Sequence, residues 1–198
     1  RIATDLWLAR FVDELGAGYR PKAVIFRDMD AVVEALHAGD LDMMNLSGLD
    51  YLRIRDSTHL VPELVSVFLG NRVYNELVLL GRRDRWQTLA DLRGKKVKVG
   101  ANQRISHMWL EIILDRAGLP PSAEFFGAVQ IEHNASAAIL PVFFEQADAC
   151  IVSVAAFETM AELNPQVGNE LGIRGRSPAI LPGLLCFRNG FDAETKAQ

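Results

Sequence analysis

The chain alternates helical and strand-like segments at short intervals, and this order limits its fold more than any other feature of the sequence. Residues 96–99, 128–131 and 148–152 are short strand-like stretches, and each is followed by a segment with helical periodicity. A strand, a helix and a second strand joined by short loops form a parallel βαβ unit, with helices on the faces of the sheet. The sequence therefore predicts an α/β fold.

The first half of the chain has the same rhythm. Apolar residues recur at helical spacing from Thr4 to Leu15, and residues 23–26 form a short apolar strand. Asp28 can cap a second helix that Gly39 ends, because aspartate accepts from the first-turn N–H groups and glycine tolerates a left-handed backbone. A further strand is predicted over residues 41–45.

The rhythm changes between residues 61 and 80. Two apolar runs, 64–69 and 76–80, are joined by turn residues with no helix between them, which predicts an antiparallel excursion. Long apolar strands near Leu77–Leu80 and Leu184–Phe187 are expected where one α/β lobe passes into another. Two crossing strands of this kind would form a hinge.

The expected domain organisation follows from these strands. Lobe 1 is predicted to comprise residues 1–77 and 186–198, without its first strand and its C-terminal helix. Lobe 2 is predicted to comprise residues 78–185. We therefore expect the chain to be part of a longer protein.

Composition excludes several classes of partner. The 198 residues are 49% apolar and 23% charged, which is enough for a sizeable core, and the net charge of −4 carries no general attraction to nucleic acid or anionic membranes. No apolar run reaches the roughly 18 residues that a membrane helix needs. Cys150 and Cys186 lie in apolar runs and are expected to be small buried side chains.

Four patches of sequence occur in an order typical of one family. They are residues 39–51 (GDLDMMNLSGLDY), 91–100 (DLRGKKVKVG) and 132–136 (EHNAS), and residues 148–152 (DACIV) followed by 176–180 (RSPAI). With them, nearly the whole chain resembles type II periplasmic solute-binding proteins, in particular the phosphate- and phosphonate-binding branch. The resemblance implies two α/β lobes with a central ligand cleft, two crossing hinge strands and capture of a small anion.

The resemblance also implies a set of site residues, for which the sequence leaves alternatives open. Ser106 and His107 open a helix, where a serine either caps the helix or binds an anion. Arg104 offers a planar fork to an oxyanion or is a solvated loop residue. His133 lies between a strand and a helix, in a place where the family often has a ligand-contacting histidine. Asp148 is interpreted as a structural residue that accepts backbone hydrogen bonds.

Two tyrosines match places where the family has aromatic groups in its cleft. Tyr51 and Tyr74 each supply an apolar face and one hydroxyl, although half-buried packing is the alternative. One departure from the family pattern concerns the loop 103–107, which has a single serine where phosphonate-binding members have consecutive hydroxyl residues. Phosphonate itself is therefore not the only oxyanion to consider.

Three functions compete. The first is a periplasmic or otherwise extracytoplasmic solute-binding protein, expected to be a monomer, that delivers an anion to the membrane component of an ABC importer. The second is a sensing domain of, or partner to, a signalling receptor such as a histidine kinase or diguanylate cyclase. The third, an enzyme, is disfavoured because the sequence has no nucleophile elbow, phosphate loop or metal-spaced His/Cys cluster. No metal or organic cofactor is expected.

Overall fold

The computed structural model describes residues 22–65, 67, 73–100, 103–181 and 183–191. The helix expected from Thr4 to Leu15 lies outside these residues. The chain divides into two compact units. Unit 1 comprises residues 1–66 and 181–198, and unit 2 comprises residues 67–180.

Helices and strands follow one another in the order that the sequence predicts for an α/β protein. The elements of unit 1 are α1 (Met29–Ala38), β1 (Met43–Leu46), α2 (Gly48–Thr58), β2 (Val61–Val65) and β8 (Leu184–Phe187). The elements of unit 2 are β3 (Leu77–Arg82), a 3₁₀ helix (Leu89–Leu92), β4 (Lys96–Val99), α3 (Gln103–Arg116), α4 (Ser122–Phe125), β5 (Ala128–Ile131), α5 (Ala135–Phe143), β6 (Ala149–Ser153), α6 (Val154–Leu163), α7 (Pro165–Glu170) and β7 (Leu171–Arg176).

Unit 1 contains a three-stranded sheet in the order β1-β8-β2. The central strand β8 runs antiparallel to both neighbours, so β1 and β2 run parallel to each other and α2 connects them. The predicted helix limits of α1 are confirmed, because the Asp28 carboxylate accepts from the Ala31 N–H at 2.9 Å and Gly39 ends the helix with φ of 77°. The unit 1 core contains Val32, Leu36, Leu46, Ile54, Leu60, Leu184 and Cys186.

The strand predicted over residues 23–26 is absent from the described part of unit 1. Ile25 is 75% exposed and Val24 is 49% exposed, and neither pairs with a strand. Their apolar character alone could not form a strand, because a strand is stable only beside a hydrogen-bonded neighbour.

Unit 2 contains a five-stranded sheet in the order β5-β4-β6-β3-β7. Strand β4 runs parallel to β5 and β6, which confirms the predicted βαβ units, and β3 runs antiparallel to β6 and β7. Alternate side chains enter two cores. One includes Leu79, Val97, Ile151, Trp109, Leu110 and Phe125, and packs α3 and α4 on one face. The other includes Val78, Leu80, Cys150, Val152, Ala138 and Phe157, and packs α5, α6 and α7 on the opposite face.

Two strand predictions are wrong. The described residues of the runs 64–69 and 76–80 do not pair with each other, because β2 belongs to the unit 1 sheet and β3 to the unit 2 sheet. Strand β7 is the second error, because no strand is predicted over residues 171–176. Both errors concern which distant segment a strand pairs with, and local composition carries no information about that.

The chain passes from unit 1 to unit 2 between residues 66 and 67, and returns between residues 180 and 181. The strands expected to cross, β3 and β8, each lie within one unit. On the unit 2 side of the two passages, Asn75 and Ile180 form an antiparallel bridge with two backbone N–H to O hydrogen bonds of 2.8 Å. Ile180, the last residue of unit 2, is therefore hydrogen-bonded to a residue near the beginning of that unit.

Both cysteines are free and buried, as expected. In the part of the chain that the structure describes, no helix has the length and apolar character needed to cross a bilayer.

Candidate functional site

Three parallel strands of unit 2, β4, β5 and β6, end at one edge of its sheet, which we call the strand-end edge. Helices α3, α5 and α6 begin soon after these strands, so their N-termini lie at this edge. The first N–H groups of a helix have no partners within the helix, and they carry a partial positive charge. In open α/β sheets, ligands bind beyond the carboxyl ends of the strands. The strand-end edge is therefore the part of unit 2 best suited to an anion.

Helix α5 is held close to the end of β4. Its N-cap Asn134 accepts from the Ala137 N–H at 2.8 Å. A Cβ built on Gly100 would lie 2.6 Å from the Ala138 Cβ and 2.9 Å from the Asn134 carbonyl oxygen. Only glycine fits here without a shift of the helix, so Gly100 allows the first turn of α5 to reach the strand-end edge.

His133 and Arg104 are exposed residues at this edge. His133 follows β5 and precedes the N-cap of α5, and Arg104 lies in the first turn of α3, which follows β4. Because β4 and β5 are paired neighbours, the two residues follow adjacent strands of the sheet. The topology thus places two of the residues that the sequence singled out at one edge of the sheet.

Ser106 is fully buried on the inner face of α3. Its neighbour Ile105 is also buried, at 5% exposure, and packs into the core that includes Trp109. In this structure Ser106 therefore contributes to packing beneath the strand-end edge rather than to its surface.

His107 lies one turn into α3 and is half exposed. Its Nε2 atom is 3.7 Å from Oε1 of Glu111, one helical turn further on. Glu111 also accepts from the backbone N–H of Ser122 and from its hydroxyl group. The Glu111 carboxylate that faces His107 is thus held by Ser122 at the start of α4. No spacing in the sequence suggests this contact between Glu111 and Ser122.

The two tyrosines lie in different units. Tyr74 is 58% exposed and precedes β3, whose first residue Leu77 pairs with Ser153 at the strand-end edge. Tyr51 lies in the first turn of α2 in unit 1 and packs, partly buried, against the unit 1 core. Five of the six predicted residues therefore belong to unit 2, and Tyr51 belongs to unit 1.

An ion pair at the strand-end edge was missed by sequence reasoning. Arg176 ends β7, and its Nη1 atom is 3.3 Å from Oε2 of Glu76, just before β3. Both side chains are about half exposed, at 51% and 42%. The alternation of apolar with other residues over 171–176 is the signal that could have revealed β7. Gly172 and Gly175 weaken this signal, since glycine disfavours strands.

A second ion pair joins the ends of β4 and β5. The Lys98 Nζ atom is 2.5 Å from Oε1 of Glu132, and both side chains are largely buried, at 16% and 21% exposure. Glu132 immediately precedes His133, and its backbone N–H donates to the Val99 carbonyl oxygen at 2.8 Å. The pair neutralises both charges and anchors the backbone from which His133 projects.

Asp148 has the structural role predicted for it. Its Oδ2 atom accepts from the Lys96 N–H at 2.9 Å, and its carbonyl oxygen accepts from the Trp86 indole N–H at 3.1 Å. It precedes β6 and therefore lies at the end of the sheet opposite to the strand-end edge.

A family model described as "ABC transporter, phosphonate, periplasmic substrate-binding protein" matches residues 5–198. Comparison with curated protein sequences gave no match. Among solved structures, a binding protein component of an ABC phosphonate transporter from Pseudomonas aeruginosa is similar with a TM-score of 0.63 and 16% identity, over 98% of this chain and 65% of that one. The present chain thus spans just under two thirds of that protein's length.

Two further structures are similar at the same level. A protein from Xanthomonas citri bound to ATP has a TM-score of 0.64 and 16% identity, over 98% of this chain and 73% of that one. PhnD1 from Prochlorococcus marinus, in complex with methylphosphonate, has a TM-score of 0.62 and 15% identity, over 97% of this chain and 72% of that one. These likenesses confirm the predicted type II periplasmic-binding-protein fold. Because the family model matches nearly the whole chain, the protein belongs to the phosphonate periplasmic substrate-binding proteins of ABC transporters.

Proposed function

We propose that this protein is a periplasmic solute-binding protein that captures a small phosphate- or phosphonate-like oxyanion and delivers it to the membrane component of an ABC importer. The observation that carries the proposal is the strand-end edge, where three helices begin and where Arg104 and His133 are exposed. Family membership supports the same conclusion, because the family is described as periplasmic substrate-binding proteins of ABC transporters.

Each candidate residue has a proposed role. Arg104 supplies a planar set of N–H donors, and His133 supplies a ring N–H, to the oxygens of the anion. The first-turn N–H groups of α5 add dipoles beside His133. Tyr74 adds an exposed ring and hydroxyl at the entrance to β3. Ser106 and His107 support the first turn of α3, and Tyr51 is the candidate contributed by unit 1.

The class of ligand is a small oxyanion with one to three negatively charged oxygens. Donors dominate the exposed candidates at the strand-end edge, while the carboxylates of Glu132 and Glu76 are paired with Lys98 and Arg176. An amine-bearing ligand would need an unpaired carboxylate as its partner. The single hydroxyl in residues 103–107 argues for testing phosphate, phosphite and sulfonates beside phosphonates.

We further propose that binding is coupled to hinge closure of the two units. The chain passes between them twice, and the Asn75–Ile180 bridge joins the last residue of unit 2 to a residue near its beginning. A ligand shifts such an equilibrium only by its higher affinity for the closed form. Small-angle scattering with and without ligand should show a smaller radius of gyration when ligand is present. An unchanged radius with saturating ligand would contradict closure.

Isothermal titration calorimetry of the purified protein with methylphosphonate, phosphate, phosphite, a sulfonate and a small carboxylate tests the binding proposal. We expect one oxyanion class to bind and to raise the melting temperature by mass action. Arg104→Ala and His133→Ala should each weaken binding by about tenfold or more, since each removes a charge-assisted or polar contact. Arg116→Ala, at the exposed far end of α3, is the matched control.

Two results would contradict the proposal. If Arg104→Ala, His133→Ala and Arg116→Ala bind equally well, the site lies elsewhere. If phosphorus NMR shows that a bound phosphorus ligand is converted to a product, the protein is an enzyme. Elution as a monomer in gel filtration, with and without ligand, is expected.

A further inference from the structure

A cavity of about 240 Å³ lies at the end of the unit 2 sheet opposite to the strand-end edge. It is formed where β4 and β6 begin and β3 ends, so the length of the parallel strands, at about 3.3 Å per residue, separates it from the strand-end edge. Its charged lining residues are three cations and three carboxylates: Arg82, Arg85, Lys95, Asp91, Glu145 and Asp148. The formal charges balance, and the hydrogen bonds decide what the cavity can bind.

Two of the carboxylates are committed to the backbone. Asp91 accepts from the N–H groups of Gln87 and Thr88 at 3.1 and 2.9 Å, which closes the start of the 3₁₀ helix. Asp148 accepts from the Lys96 N–H at 2.9 Å. Asp91 and Asp148 are therefore poor ligands for a metal ion, and the neighbouring cations repel one. Among the described residues there is no group of three His, Cys, Asp or Glu side chains that could hold a metal.

The donors are only partly committed: Arg82 Nη1 donates to Glu170 Oε2 at 2.7 Å and to the Phe143 carbonyl oxygen at 3.1 Å, and the Arg85 guanidinium contacts Glu145. Among the described residues, the ion-pair partner of the Lys95 Nζ atom is Asp148, and the distance of 3.9 Å to Oδ1 is too long for a hydrogen bond. Arg82 is 18% exposed, and its Nε atom is buried without a hydrogen-bond partner among the described residues, although carboxylate oxygens of Asp84 and Glu145 lie 3.4 and 3.7 Å away. A buried donor without a partner costs free energy that an incoming acceptor would recover.

Glu145 occupies this space with its own carboxylate. One oxygen faces Arg82, and the other contacts the Arg85 guanidinium. The backbone of Glu145 has φ of 60°, a left-handed conformation that glutamate rarely adopts. Glu145 directly follows the C-cap Phe144 of α5, where helices commonly end in this conformation, and its backbone N–H donates to the Val142 carbonyl oxygen at 3.3 Å. Glu145 is thus a tethered anion between two cations.

We propose that this cavity is a second anion site, in which a phosphate-type oxyanion binds Arg82, Arg85 and Lys95 in competition with the Glu145 carboxylate. A tetrahedral anion has acceptors on all sides, which suits three cations that approach from different elements. The site is independent of the proposed transport ligand, because none of its residues lies at the strand-end edge. Free inorganic phosphate and the phosphate of a lipid headgroup share this chemistry.

The test is a titration of the isotope-labelled protein with inorganic phosphate at constant ionic strength, followed by amide NMR. We expect shifts for residues 82–95 and 145–148 that saturate together. Lys95→Ala should weaken binding by about fivefold or more, while Lys96→Ala, at an exposed neighbouring lysine outside the cavity lining, should leave it unchanged. Glu145→Gln should strengthen binding, because it removes the competing charge and keeps the shape.

A second arm separates the two sources of phosphate. Co-sedimentation with phosphatidylglycerol vesicles, with phosphatidylcholine vesicles as the neutral reference, measures headgroup binding. Vesicle binding that Lys95→Ala weakens and Lys96→Ala does not would support the site and assign it to a lipid. The proposal is overturned if neither phosphate nor anionic vesicles perturb these amides, or if Lys95→Ala and Lys96→Ala behave alike in folded proteins. Shifts confined to residues 103–107 and 132–136 would leave only the strand-end edge as an anion site.

Discussion

Gly100 at the end of β4 touches Ala138 in α5 so closely that a Cβ on Gly100 would lie 2.6 Å from the Ala138 Cβ. This contact sets how near α5 comes to the sheet, and with it the position of Asn134 and His133. The packing of one glycine therefore connects the core of unit 2 to its strand-end edge.

Gly100→Ala should lower the free energy of unfolding by about 1–3 kcal/mol, because the added methyl group overpacks a closed contact. It should also weaken anion binding, since the first turn of α5 must move away from β4. Urea denaturation and calorimetric titration of the same variant measure both effects.

Gly175→Ala is the control for this substitution. Its Cβ would lie 3.8 Å from the nearest atom, Leu79 Cβ, which is an ordinary contact in the same sheet. We expect little change in binding for Gly175→Ala. If Gly100→Ala is as stable as the parent and binds equally well, the close approach of α5 has no part in forming the site.

Ser177→Ala should destabilise the fold by about 1–3 kcal/mol. The buried Ser177 hydroxyl oxygen accepts from the Leu77 N–H at 2.9 Å and its hydroxyl donates to the Pro178 carbonyl oxygen at 2.7 Å, so alanine would leave a buried N–H without its partner. The measurement is a thermal melt beside that of Ser57→Ala, at an exposed serine on α2. Equal melting temperatures for the two variants would contradict this account.

The contribution of Asp91 to stability should depend on pH. Hydrogen bonds from the N–H groups of Thr88 and Gln87 hold the pKa of Asp91 below its ordinary value of 3.8. A carboxyl group with a lowered folded-state pKa stabilises the protein above its unfolded pKa, and this stabilisation is lost as the pH falls through the folded pKa.

Asp91→Asn should therefore be less stable than the parent at pH 7, and the difference should shrink below about pH 4. Urea denaturation of both proteins at pH 7, 4 and 3 measures it. Asp115→Asn, at an exposed carboxylate on α3, serves as the reference substitution. A difference between Asp91→Asn and the parent that stays constant from pH 7 to 3 would exclude the carboxylate charge as its cause.

Neither cysteine should react with thiol reagents in the folded protein. Burial raises the pKa of Cys186 to about 11 and raises the pKa of Cys150 further above its ordinary value, so neither is a thiolate at pH 8. Labelling with an aromatic disulfide at pH 8 should detect no thiol in buffer and two thiols in concentrated urea. Rapid labelling of either residue in buffer would show that its surroundings open readily.

Sequence reasoning succeeded where short-range physics decides the structure. The Asp28 cap, the Gly39 end of α1, and the strand and helix order from β4 to α6 each depend on residues a few positions apart. The backbone hydrogen bond to Asp148 also follows from its place before a strand.

Sequence reasoning failed where distant segments meet. The partners of β2 and β3 come from residues more than fifty positions away, and β7 carries two glycines that hide its alternation. The burial of Ser106 depends on which face of α3 packs on the sheet, and the Glu76–Arg176 pair depends on β7 lying beside β3. None of these can be deduced from local periodicity.

The two hydrogen bonds between Asn75 and Ile180 have a consequence for the order in which the molecule is built. They bring the two ends of the segment 75–180 side by side within unit 2, and we expect residues 73–180 to fold when excised. Unit 1, in contrast, cannot complete its fold early in synthesis. Its central strand β8 lies between β1 and β2 and is synthesised only after all of unit 2. The three-stranded sheet of unit 1 can therefore form only after unit 2 has been synthesised.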